Sequence, residues 1–124
     1  MNIYYPDNWV IVEVNSSHGQ IRKVLAGWKG AFASPDAWRL SSGITEVDDQ
    51  GDHYKIFNES GSLYVCQKHN EGFSPIILSE FEYMKTYFPT INATIERVSI
   101  EGVSKDKRSD VDDDIEEIWW HSIK

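Results

Sequence analysis

The stretch Ile44-Thr45-Glu46-Val47-Asp48-Asp49-Gln50-Gly51-Asp52-His53-Tyr54-Lys55-Ile56-Phe57-Asn58-Glu59-Ser60-Gly61-Ser62-Leu63-Tyr64-Val65-Cys66 decides the fold class. It holds three short runs rich in β-branched and aromatic residues: Ile44 to Val47, Tyr54 to Phe57, and Leu63 to Cys66. Between them lie Asp48-Asp49-Gln50-Gly51-Asp52 and Asn58-Glu59-Ser60-Gly61, whose side chains and glycines favour turns. Runs and turns at this spacing predict an antiparallel meander. Such a sheet buries one face and wets the other.

The same rhythm extends toward the N terminus. Trp38-Arg39-Leu40 is a short alternating piece that ends at Ser41-Ser42-Gly43. Trp9-Val10-Ile11-Val12-Glu13-Val14 is strongly β-prone and stops at Asn15-Ser16-Ser17-His18-Gly19. Residues 21–25 resume the pattern, with Arg22 and Lys23 breaking the apolar run, and Gly27-Trp28-Lys29-Gly30 and Ser34-Pro35-Asp36 punctuate it.

Toward the C terminus the period changes. Ile77, Leu78, Phe81, Met84, Tyr87 and Phe88 recur at helical spacing, which predicts one amphipathic helix over 76–87. Ser74 or Ser79 is placed to cap it, and Pro89 ends it. Residues 93–100 alternate as a further strand, in which Ile95 lies off the Val98–Ile100 phase and implies a bulge or a two-sided strand. Residues 102–109 form a charged linker. From Ser109 to Trp120 the pattern fits a helix: Ser109 at the cap, acids in the first turn, and Val111, Ile115, Ile118 and Trp119 on one face. The expectation is a single α+β domain over 1–124. It has an antiparallel meander of about six or seven strands, open or closed into a half-barrel. One central helix packs on the sheet, and an acidic helix ends the chain.

The chain has 124 residues, 12 basic and 20 acidic, for a net charge of −8. That balance argues against sequence-independent nucleic-acid binding, where Lys and Arg must neutralise phosphates, and against docking on anionic lipid. The charge is not uniform. Residues 110–117 hold six acids and no base, while the remainder holds 14 acids against 12 bases. The start of the chain has no basic n-region or apolar h-region, no stretch approaches a bilayer span, and Cys66 stands alone. These features predict a cytoplasmic protein.

Motifs for chemistry are scarce. Asp110, Asp112 and Asp114 alternate like the start of a calcium loop, but Ile115 and His121 occupy the places of the required Gly and Glu. Cys66 and His69 lack the second ligand pair of a zinc site, so a buried thiol is the better reading. No nucleophile elbow, phosphate loop, dinucleotide fingerprint or His-Glu-x-x-His occurs. The expectation is a protein without enzymatic activity, cofactor or metal.

Aromatic residues are the second signal. Trp9 and Trp38 fall in strands and suit a core, whereas Trp28 lies in a glycine-flanked stretch. Neighbouring Trp119 and Trp120 cannot share a helix face, since successive residues are about 100° apart. Trp120 beside the acidic run has the composition of a binding hot spot. The candidate partner-binding residues are therefore Asp112, Asp113, Asp114, Glu116, Glu117 and Trp120.

A small, acidic chain without catalytic motifs resembles, in type, the immunity proteins of bacterial toxin–immunity pairs. The resemblance implies a basic protein partner such as a toxin nuclease, met at electrostatically steered rates. Phage-encoded inhibitors of nucleic-acid enzymes share this composition. The alternative is a small-ligand-binding or catalytic β-rich domain with a pocket lined by Trp28, Trp38 and tyrosines. Stacking of single-stranded nucleic acid on the aromatics would need a basic groove, for which Arg22, Lys23, Lys29 and Arg39 are the candidates.

Overall fold

The structure is a computed structural model and describes residues 1–31 and 33–102. The acidic C-terminal helix expected after residue 109 lies outside the described residues. The described residues fold as a strand-rich α+β protein with eight strands: β1 (Ile3–Tyr4), β2 (Asn8–Ser16), β3 (Gly19–Trp28), β4 (Ala37–Leu40), β5 (Ile44–Asp49), β6 (His53–Asn58), β7 (Leu63–Gln67) and β8 (Ala93–Val98). Among the described residues one α-helix, α1 (Pro75–Tyr87), precedes β8.

The expected single meander is corrected to two four-stranded sheets, ordered β4-β3-β2-β8 and β1-β7-β6-β5. The region 44–66 does form a meander, β5-β6-β7, with all neighbours antiparallel. Its turns place Gly51 and Gly61 at φ of +98° and +92°, a region that costs glycine nothing. The outer sheet is completed by β1, which runs parallel to β7 and sets Tyr4 beside Tyr64. A two-residue strand is too short to show a period, so sequence patterning does not announce it.

The other sheet is central because it is buried on both faces. Val10, Val12 and Val14 of β2 face α1, joined by their β3 partners Ile21 and Leu25. Trp9 and Ile11 point the other way, with Val24 and Ala26, onto Ile56, Tyr64 and Cys66 of the outer sheet. A strand covered on two sides reads as a continuous apolar run, which explains Trp9-Val10-Ile11-Val12. In β8 the pairing with β2 runs without a break, so the off-phase Ile95 reflects a two-sided strand. Ile95 faces α1, while Val98 packs toward the outer sheet.

Helix α1 presses Ile77, Phe81 and Met84 onto the central sheet, each burial being worth roughly 1.5–3 kcal/mol. Close approach depends on Gly27, where a Cβ would lie 2.7 Å from Ile77 Cγ2. Ser74 takes the N-cap position with Pro75 after it, but its hydroxyl makes no capping hydrogen bond. Ser79 lies inside the helix, and Tyr87 is its last residue, two before Pro89. Among the described residues no helix is long and apolar enough to cross a membrane.

Candidate functional site

Between the two sheets the filling changes from apolar to polar. At one end Trp9 is fully buried, meets Tyr54 edge-on at 6.0 Å, and donates its indole N–H to the Gln67 carbonyl at 2.8 Å. At the edge formed by β4 and β1 the layer opens into a cavity of about 600 Å³. This volume lies within the usual range for small-molecule sites, roughly 300–1,000 Å³.

Three pieces of chain build the cavity. The end of β4 contributes Arg39, whose register partner Ala26 faces the outer sheet, so alternation sends Arg39 to the same side. Residues 41–43 then cross from the central to the outer sheet and supply Ser41 and Ser42. The β6–β7 turn supplies Ser60, Gly61 and Ser62, while Tyr4 and Tyr64 close the wall from the paired β1 and β7.

Aromatic stacking positions the guanidinium. The Tyr4 and Tyr64 rings stack at 4.9 Å, and Arg39 Cζ lies 4.9 Å from the Tyr4 ring centroid. That is cation–π range. Arg39 also hydrogen-bonds the Tyr64 hydroxyl. Burial pushes the Tyr64 phenol far above its ordinary range, outweighing the opposing pull of Arg39. Tyr64 is therefore a neutral hydroxyl at any physiological pH.

Serine hydroxyls form a connected row. Ser41 Oγ accepts from the Val24 N–H at 2.8 Å and donates to the Ser42 carbonyl at 2.7 Å, which fixes the crossing segment to β3. Ser42 Oγ accepts from the Ser60 N–H at 3.0 Å and donates to Ser60 Oγ, also at 3.0 Å. Ser60 Oγ in turn meets Ser62 Oγ at 3.1 Å. Among the described residues no His, Asp, Glu or Lys side chain lines the cavity. The arrangement can hold a ligand by hydrogen bonds and by the Arg39 guanidinium.

The sequence-derived candidates fare differently. Asp112, Asp113, Asp114, Glu116, Glu117 and Trp120 lie outside the described residues. Trp28 and Trp38 do not line this cavity; they occupy opposite faces of the central sheet. Trp28 packs toward the outer sheet and donates its indole N–H to the Tyr5 carbonyl at 3.0 Å, and Trp38 packs against the helix-side core. Of the expected aromatic pocket, only tyrosines contribute. The basic groove does not form either. Arg22 pairs with Glu13 at 3.1 Å on one face of β3, and Lys23 is buried on the other.

Cys66 is wholly buried, and desolvation raises its thiol well above the ordinary range. A thiol in that state is a poor nucleophile and a poor ligand. Among the described residues no group of three or more His, Cys, Asp or Glu side chains is placed to hold a metal.

Sequence reading missed the serines because Ser41-Ser42-Gly43 and Ser60-Gly61-Ser62 look like ordinary turn punctuation. The usable signal was their likeness, two Ser/Gly tripeptides each closing a strand. Only the tertiary register brings them together. No family model, curated protein or solved structure matches the chain.

Proposed function

We propose that this protein is a binding module that takes a small polar ligand into the cavity between the two sheets. The observation that carries it is the lining: a guanidinium held on a stacked tyrosine pair, facing into a space shared with a row of serine hydroxyls. A few convergent polar groups in a concave site are what small-molecule recognition uses.

The test is a thermal-shift panel of polar metabolites on the wild type and on Ser60→Trp, which places bulk at an exposed turn position of the cavity. A ligand of the cavity raises the wild-type Tm and leaves that of Ser60→Trp unchanged. A panel that shifts both proteins equally, or neither, overturns the proposal.

The local charge excess favours a second reading: an acidic, immunity-type inhibitor of a basic partner, working in a bacterial or phage-infected cytoplasm. Its surface would centre on Asp112, Asp113, Asp114, Glu116, Glu117 and Trp120, and a toxin nuclease is the partner type that this charge suits. Reversing three of these acids to Lys should weaken partner binding and flatten its salt dependence. An unchanged affinity and salt slope would leave the acidic run as a solvated segment.

A further inference from the structure

We infer that the open face of the outer sheet is a contact surface between two copies of this chain. It lies on the side of that sheet away from the cavity and does not depend on the cavity being a ligand site.

Strand register assembles the face. Tyr4, Val47, Tyr54, Ile56, Tyr64 and Cys66 point inward, to the core between the sheets. Alternation sends their neighbours to the opposite side. Pairing then sets Ile3, Leu63, Phe57 and Glu46 in one row across all four strands, with Val65, Lys55 and Asp48 in the next. Leu63 is only 8% exposed, and Phe57 and Val65 are half-buried, yet none of the three packs in the core on either side of the central sheet. Ile3, at the end of their row, is 46% exposed. Helix α1 lies on the opposite side of the central sheet, so among the described residues the layers run helix, sheet, sheet and end here. A contiguous apolar strip on an outer face marks a surface that associates.

Charge selects the occupant. Lys55 stands opposite Asp48 in the register, but neither Lys55 nor Glu46 forms an ion pair among the described residues. Asp48 instead accepts from the Gln50 side chain at 2.7 Å. The face thus presents one base and two acids beside the strip. A partner of a single sign would be attracted by one group and repelled by the other. A second copy, related by a two-fold axis, can bring Lys55 of each chain to Glu46 of the other while the strips meet. That is the self-complementarity an isologous contact requires.

Size sets the strength. Four strands about 4.8 Å apart and about 17 Å long make a face of roughly 300 Å². A standard interface takes roughly 800 Å² from each partner. The association is therefore weak and reversible.

Sedimentation velocity on the full chain from about 10 to 500 µM, where so small an interface associates, tests the inference. The wild type should pass from monomer to dimer over this range and go no further. Val65→Lys, which puts a charge into the strip, should weaken the dimer by at least about ten-fold. Lys55→Glu and Glu46→Lys should each do the same, because each sets like charges against one another. An equimolar mixture of those two variants should dimerise as well as the wild type, a recovery that misfolded chains could not give. A monomeric wild type, a dimer indifferent to Val65→Lys, or a mixture no tighter than its components overturns the proposal. Should the wild type be monomeric, an apolar dye that it binds and Val65→Lys does not would assign the face to a different protein. A face that binds no dye would be one covered by its own chain.

Discussion

The two ends of the layer between the sheets are built from the same strands and come out opposite. Around Trp9 the space is filled: indole against Tyr54, Ile11 and Val24 with Ile56 and Cys66, and every one of those last four fully buried. Around Arg39 the strands carry a cation, phenols and serines, and space is left. Interiors pack to crystal-like density where nothing forbids it. An unfilled, polar corner thus lies beside a close-packed apolar one.

Mutations at the two ends should separate them. Trp9→Ala removes the largest buried side chain of the filled end and orphans the Gln67 carbonyl that its indole bonds, so about 3–5 kcal/mol should be lost in urea unfolding. A loss below about 1 kcal/mol would mean that the layer collapses freely and that its two ends do not differ in packing.

Alkaline pH should act on both ends in sequence. Cys66 and Tyr64 both titrate above their ordinary values of 9.0 and 10.0 because burial opposes the anion. The unfolded chain then gives up each proton before the folded one does. Their contributions are complete below those ordinary values and drain away as pH rises past them, with a slope near 1.4 kcal/mol per pH unit for each group, an order-of-magnitude figure. Urea midpoints should fall from about pH 9, starting with the thiol of the filled end. Cys66→Ala should flatten the curve between about pH 9 and 10, and Tyr64→Phe above that. Unaltered slopes would mean that neither group is as dry as its position implies.

Smaller changes sharpen the same contrast. Ile56→Val deletes one methylene from the filled end and should cost about 0.5–1.5 kcal/mol. Ser60→Ala, at the exposed turn of the cavity, should stay within about 0.5 kcal/mol of wild type while lowering ligand affinity. A Ser60→Ala protein that is clearly destabilised would recast the serine row as a structural brace.

Much of this architecture is visible in the sequence, in proportion to how local its causes are. Strands β5, β6 and β7 announce themselves through alternation and turn residues, and α1 through its 3.6-residue stripe and Pro89. What alternation specifies is a side of a strand, not the sheet to which the strand belongs. The division into two sheets follows from long-range pairing, β2 with β8 and β1 with β7, which no local pattern encodes. The run Trp9-Val10-Ile11-Val12 did carry a trace of it, since only a strand covered on both faces can afford so few polar residues.

The cavity was less legible still. Arg39 is a single charge in a four-residue strand, and Ser42 and Ser60 are 18 positions apart. Their meeting depends on where the crossing segment lands. The acidic candidates at Asp112 to Glu117 were the opposite case: conspicuous as composition, and outside the residues described.

Cys66 gives the molecule a built-in clock. Its sulfur lies in the filled end, shielded from any reagent while the sheets stay together. Modification by an aromatic disulfide can then proceed only through openings that part β7 from the central sheet. When reclosing outruns the reaction, the labelling rate reports the population of the opened form. One native thiol thus turns the adhesion of two sheets into a rate that can be read by absorbance. The same measurement in the presence of a cavity ligand would show how far occupancy at one end holds the other end shut.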